Sequence, residues 1–140
     1  MPKKSPITKK IEEAKEILRE LGLPPAQQNE ISALTLLALC GIKPNDPWEK
    51  SYRHSLTVSK GVMDFAFAEF KKKYAPNTRE TVRRQVLHQF VQAYLADYNP
   101  DDPTLPTNSP RAHYAITESA LAAIKTFGTK DWPVSLQRFV

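Results

Sequence analysis

Apolar residues return every three or four positions along five separate stretches of this chain, the period of helices packed on one side. From Thr8 to Leu21, the residues Ile11, Ala14, Ile17, Leu18 and Leu21 mark one face, while Lys and Glu mix on the other. Gly22 and the pair Pro24-Pro25 stop that helix. From about Ala26 to Cys40 the pattern closes up. Ile31, Ala33, Leu34, Leu36, Leu37, Ala38 and Leu39 make a helix apolar nearly all round, with Asn29 in its first turn. Such a helix belongs at the centre of a small domain. Gly41 caps it, and Pro44-Asn45-Asp46-Pro47 makes a turn.

The stretch from Trp48 to Val58 fits no single period: a short helix followed by a brief extended segment near Leu56 is the reading. A third helix is expected from Ser59 to Tyr74, on Val62, Phe65, Ala66, Phe70 and Tyr74, with Thr57 or Ser59 as its N-cap. Lys71-Lys72-Lys73 then sits in its last turn, where cations suit the helix dipole. Pro76 disfavours helix at Ala75, and Asn77 is a good N-cap for a fourth helix from Thr78 to about Ala93. Glu80, three residues after Asn77, suggests a capping box. Leu95 to Tyr98 and Ala112 to Ile116 read as two short strands around a loop holding Pro100, Pro103, Pro106 and Pro110. Thr117 caps a fifth helix, carried by Ala120, Leu121, Ile124 and Phe127. Gly128 ends it, and Trp132 to Val140 adds a turn or two.

In order this is helix, helix, three-residue turn, helix, hairpin, helix. That order predicts a mainly α fold with a small β-hairpin, a winged helix-turn-helix of the α+β class, in which the helix after the turn faces outward. One domain spans 1–140, with an N-terminal helix at 7–22, a core at 26–127 and a tail at 128–140. Adjacent helices occur in many small α+β domains, so order alone does not decide function.

Charge changes the picture. The net charge is +5, and the window 71–84 alone holds Lys71, Lys72, Lys73, Arg79, Arg83 and Arg84 against one acid, Glu80, an excess that equals the net charge of the whole chain. So local a positive field attracts polyanions through phosphate contacts and counterion release, although a solvated basic face has the same composition. No apolar run approaches the roughly 18 residues of a membrane span, and Met1 to Pro6 lacks the apolar stretch of a secretory signal. The single cysteine, Cys40, forms no internal disulfide, which fits a reducing cytoplasm.

Helix four carries the candidate chemistry. At about 100° per residue, Val82, Val86, Leu87, Phe90, Val91 and Tyr94 fall on one side. Thr78, Thr81, Gln85, His88 and Gln92, flanked by Arg84 and Gln89, fall on the other. Arg suits guanine, Gln suits adenine, and a Thr methyl suits the thymine methyl. Recognition helices dock by their N-terminal part, so Thr78, Thr81, Arg84 and Gln85 are the candidate readers. His88, in the third turn, reads first as a solvated or hydrogen-bonded helix residue. Arg79 and Arg83 point by phase toward the apolar side, which leaves two roles open: phosphate contact, or pairing with an acid. Lys72 is a candidate phosphate contact. Asn77 and Thr78 open a helix whose free N–H groups suit a phosphate oxygen. Asn108, Ser109 and Arg111 form a candidate wing, or an ordinary turn.

Catalytic patterns do not emerge. His54, His88 and His113 are far apart, and four glycines build no phosphate loop. Asp64, Glu69 and Lys71 spell a string seen in metal-dependent nucleases. Carboxylates and lysine must converge there, yet Glu69 and Lys71 lie about 200° apart on a helix. No cofactor is expected on this chain.

Several of these segments are similar to one family. Pro25 to Leu39 (PAQQNEISALTLLAL), Tyr74 to Gln85 (YAPNTRETVRRQ) with His88-Gln89-Phe90, Tyr98-Asn99-Pro100 and Asn108-Ser109-Pro110 resemble the N-terminal domain of BsuBI/PstI-type restriction endonucleases. The resemblance runs from about Ile11 to Trp132. It implies a winged helix-turn-helix centred on Asn77 to Gln85, a wing at Asn108 to Pro110, and double-stranded DNA as partner. It also implies a C-terminal nuclease domain that would make the full-length enzyme a magnesium-dependent, site-specific deoxyribonuclease. This chain stops where that domain would begin, so a fragment and a free-standing domain are both open, as is a homodimer. Two other functions fit the residues: a stand-alone winged-helix transcription regulator, and a protein–protein interaction module with a basic face.

Overall fold

The computed structural model describes residues 5–102, 104–106, 109 and 111–139. Helix α1 (Pro6–Glu20) starts at Ser5, whose Oγ accepts from the Thr8 N–H at 3.1 Å, and Pro6 supplies the fixed φ suited to a first turn. Its buried stripe of Ile11, Ala14, Ile17 and Leu18 lies on helix α2 (Glu30–Cys40). Every α2 residue from Ser32 to Cys40 is buried, as the all-round apolar pattern requires. Thr35 tolerates this because its Oγ1 donates to the Ile31 carbonyl at 2.8 Å. Asn29 caps α2, its Oδ1 accepting from the Ser32 N–H at 3.0 Å, so the expected first turn becomes a separate 3₁₀ turn, Pro25–Gln27. Gly41 ends α2 at φ 67°, and a Cβ there would lie 2.3 Å from the Tyr52 ring.

Strand β1 (Leu56–Thr57) leads into helix α3 (58–70), whose first turn, Val58–Met63, is π-wide. A Cβ at Gly61 would sit 2.9 Å from Leu56 Cβ, so glycine lets this helix press on the strand before it. α3 stops at Phe70 rather than Tyr74, because Lys71 turns left-handed at φ 58°. The three lysines therefore lie outside the helix, and the turn spans 71–77 instead of three residues.

Helix α4 (78–92) follows, with a π-wide middle at Val82–Leu87. The expected cap at Asn77 is absent. Asn77 is itself helical in φ and ψ, and its side chain makes no capping bond. The N–H groups of Thr78, Arg79 and Glu80 donate instead to the carbonyls of Ala75, Pro76 and Asn77 at 2.9, 3.2 and 3.3 Å. The Pro76 turn thus uses first-turn donors that were expected to be free for a phosphate. Glu80 forms no capping box; it turns to arginines.

Strands β2 (Ala96–Tyr98) and β3 (His113–Ile116) form the predicted hairpin, pairing Ala96 with Ile116 and Tyr98 with Tyr114. β1 adds to its far side, Leu56 opposite Tyr114, giving an antiparallel sheet in the order β1-β3-β2. Two residues are too few to show a period of two, so the sequence marks this third strand only as an extended segment. Thr117 caps α5 (Glu118–Ile124), accepting from the Ala120 N–H at 3.2 Å, and α6 (Trp132–Phe139) packs beside it. Strand, helix, turn, helix, then a hairpin closing on the first strand: this is a winged helix-turn-helix.

Candidate nucleic-acid interface

Helix α4 is two-sided as its phase predicts. Val82, Val86, Leu87 and Phe90 are buried in the core, while Arg84, Gln85, His88 and Gln92 are exposed and Thr78, Thr81 and Gln89 half-buried. Tyr94 departs from the prediction. It leaves the helix at φ 60° and is 78% exposed, because the chain must turn there to enter β2. The outer face is held from behind: Gln27 Nε2 donates to the Gln85 carbonyl at 3.1 Å, tying the 3₁₀ turn before α2 to the middle of α4. The side chains of Thr81, Arg84 and Gln85 have no hydrogen-bond partner among the described residues. His88 is partly engaged, accepting at Nε2 from Gln92 at 3.2 Å.

Arg79 and Arg83 lie on the hairpin side of α4, with side chains 24% and 19% exposed. Both pair with Glu80. Arg83 donates to its two oxygens at 2.6 and 3.3 Å, and Arg79 to one at 3.2 Å. The Arg83 hydrogen bond, backed by charges on Arg83, Arg79 and Arg84, holds the Glu80 carboxyl below its ordinary range. Of the two roles left open, structural pairing is therefore present. Arg79 also donates to the Ser109 carbonyl at 3.3 Å, so it braces α4 against the loop that precedes β3.

The other predicted residues scatter. Lys72 sits 3.7 Å from Glu30, which also accepts from the Tyr74 hydroxyl at 3.0 Å. Burial, and then Glu30, pushes that phenol up to about 12. The turn is thereby fastened to the start of α2. Ser109 spends its Oγ on the Arg111 N–H at 3.1 Å, and Arg111 itself is exposed. Asn108 lies outside the described residues. Burial pushes the Cys40 thiol up to about 12, that of a core residue. Among the described residues no three His, Cys, Asp or Glu converge to hold a metal, Asp64 and Glu69 included, and no helix is long and apolar enough to cross a membrane.

Two features escaped the sequence. Tyr98 and Tyr114, rings 5.5 Å apart, line a cleft of about 460 Å³ with Arg83, Arg84, His88 and Val91. Their cross-strand register was the only available signal. Tyr98-Asn99-Pro100 also proves to be architecture. The Tyr98 hydroxyl and Asn99 Nδ2 both donate to the Leu105 carbonyl, at 2.7 and 2.9 Å, and Asn99 Oδ1 accepts from the His113 N–H at 2.8 Å. These bonds close the base of the wing.

Comparison with known proteins agrees with this geometry. The family model described as "BsuBI/PstI restriction endonuclease HTH domain" matches residues 8–140. The type II restriction enzyme BsuBI of Bacillus subtilis is 45% identical over 130 residues, which are 93% of this chain and 41% of that enzyme. The type II restriction enzyme AplI of Arthrospira platensis is 34% identical over 128 residues, 91% of this chain and 39% of that one. The solved structure of the SdaI restriction endonuclease superposes with a TM-score of 0.89 at 37% identity, covering 92% of this chain and 40% of the other. The chain thus spans about two-fifths of the length of the relatives it matches.

Proposed function

The chain belongs to the BsuBI/PstI restriction endonuclease HTH-domain family, and from that premise we propose that it binds double-stranded DNA and selects a short sequence, as the target-recognition part of a type II restriction enzyme. The observation that carries this reading is the outer face of α4. Thr81, Arg84 and Gln85 stand unpartnered in its first two turns, on a helix braced from behind by Gln27 and from the side by Arg79. Side chains with donors and acceptors to spare, on a rigid helix, suit the major groove. In this reading the DNA is cut by a nuclease domain outside these residues, and two copies bind the halves of a palindrome.

Selection from random duplexes, followed by gel shifts, tests the reading. One short motif should be enriched, and its affinity should fall by several decades between about 50 and 200 mM salt if six or more phosphates are neutralised. Equal affinity for every duplex removes sequence selection. Absence of binding at moderate salt removes DNA altogether and favours an acidic protein partner. Sedimentation with the enriched duplex should show two copies per palindrome; one copy removes the dimer.

A further inference from the structure

Three cations from three elements line a single cleft of about 340 Å³: Lys60 in the first turn of α3, Arg79 in the first turn of α4, and Arg111 just before β3. Thr57 and Ser59 complete the lining. The sheet register brings these residues together. Thr57 pairs with His113 in an antiparallel ladder, so Ser59, two residues after the one, and Arg111, two residues before the other, come to the same end. Arg79 reaches the same place through its bond to the Ser109 carbonyl.

The charge here is only partly compensated. Among the described residues neither Lys60 nor Arg111 has an acidic partner, and Arg79 shares Glu80 with Arg83. The Thr57 side chain is not spent on capping α3. The lining therefore offers ammonium, guanidinium and hydroxyl donors and no carboxylate. A base edge presents a mixture of donors and acceptors, whereas a phosphodiester presents acceptors only. Guanidinium groups match its oxygens in pairs, and the ammonium adds a point charge.

We propose that this cleft seats one backbone phosphate of the duplex, at the hairpin end of the domain and apart from the face of α4 that reads bases. This rests on the duplex-binding reading and adds Lys60, Thr57 and Ser59 to it. A contact of this kind carries no sequence information; it fixes how α4 lies in the groove.

The test is the double variant Lys60→Ala/Arg111→Ala in the 140-residue chain, with both positions exposed and away from the core. Thermal melting should match wild type. Affinity should fall about tenfold for every duplex alike, the slope of log affinity against log salt should shrink by about one unit, and the ranking of preferred sequences should stay unchanged. The reversal Lys60→Glu/Arg111→Glu should weaken binding further. Wild-type affinity and slope in a variant that melts normally overturn the site, as does an altered ranking, which would make these residues base readers. Inorganic phosphate at matched ionic strength separates the two sources of the anion. Saturable shifts of the Arg111 amide resonance at low millimolar phosphate mean a free-anion site and overturn the proposal; shifts only with duplex support it. If wild type binds no duplex, the DNA reading fails and this site with it.

Discussion

Helices α2 and α4 both cross the domain, and they use their surfaces in opposite ways. From Ser32 onward α2 is buried on all sides, with Leu34, Leu36, Leu37 and Leu39 at 1% exposure or less. α4 buries only Val82, Val86, Leu87 and Phe90, and turns Arg84, Gln85, His88 and Gln92 to solvent. The first helix has no side left with which to bind anything, so its residues act on stability alone. The second is a core helix on one side and, in the proposed reading, the binding face on the other. Substitutions on its two sides should therefore separate folding from binding.

The largest effect should come from the inner side. Phe90→Ala removes a fully buried ring and leaves a cavity, at a cost of about 3–5 kcal/mol in urea unfolding. That is a large part of the roughly 5–15 kcal/mol that holds a typical domain together. Leu37→Ala in α2 should cost a comparable amount, about 2–5 kcal/mol. If Phe90→Ala abolished binding while leaving the unfolding curve in place, the division between the sides would be wrong.

Next comes the outer side. Arg84→Ala should leave unfolding within about 0.5 kcal/mol of wild type, since the exposed guanidinium touches nothing that holds the fold. Its effect should be on discrimination between bases at one position, about 1–3 kcal/mol, read from competition gel shifts. A uniform loss over all sequences would demote Arg84 to a phosphate contact.

Much of this contrast is legible in the residues. The runs around Leu34 and around Val82 show which faces are apolar, because burial in a helix depends on phase and phase on sequence. The turn between α3 and α4 is less legible. Lys71 carries no mark of its left-handed φ, and the preference of Asn77 for capping yields to the turn that Pro76 imposes. The Glu80–Arg83 pair is legible at its three-residue spacing, but the same Glu80 also fits a capping box with Asn77, and the sequence does not choose between them. The third strand and the cleft at Lys60 were hidden. Both depend on β1 meeting β3, residues more than fifty positions apart, and two-residue strands leave no periodic trace. Two residues of the family-like segments have structural roles that no local pattern marks: Gln27 ties the turn before α2 to α4, and Asn99 closes the base of the wing.

A smaller effect should appear at the tie between the segments. Gln27→Ala removes the donor to the Gln85 carbonyl and should cost about 0.5–1.5 kcal/mol of stability. Unlike Phe90→Ala, it should also blur base preference, since the backbone under Gln85 loses its anchor. A stability loss with unchanged preference would mean that α4 holds its position without this bond.

The smallest effect lies in the wing and depends on pH. His113 Nε2 pairs with the Asp101 carboxylate, while Nδ1 lies 3.0 Å from the Arg111 carbonyl, so the imidazole bridges the two ends of the loop. The Arg111 carbonyl first, and Asp101 after it, raise the pKa of His113; the hydrogen bond from His113 lowers that of Asp101. The histidine contribution is complete below its unfolded value of about 6.5 and fades as pH rises through its higher folded value. The aspartate contribution is present above its unfolded value of about 3.9 and fades as pH falls through its lower folded one. The bridge should therefore be tightest between about pH 4 and 6.5, with the wing opening more readily at pH 8. Amide hydrogen exchange at His113, corrected for its intrinsic pH dependence, should be slower at pH 5.5 than at pH 8, and Asp101→Asn should reduce the difference. An imidazole titrating at or below its ordinary value in the folded chain would mean that the wing is held without this bridge, by Asn99, the Tyr98 hydroxyl and the bond from Arg79 to Ser109.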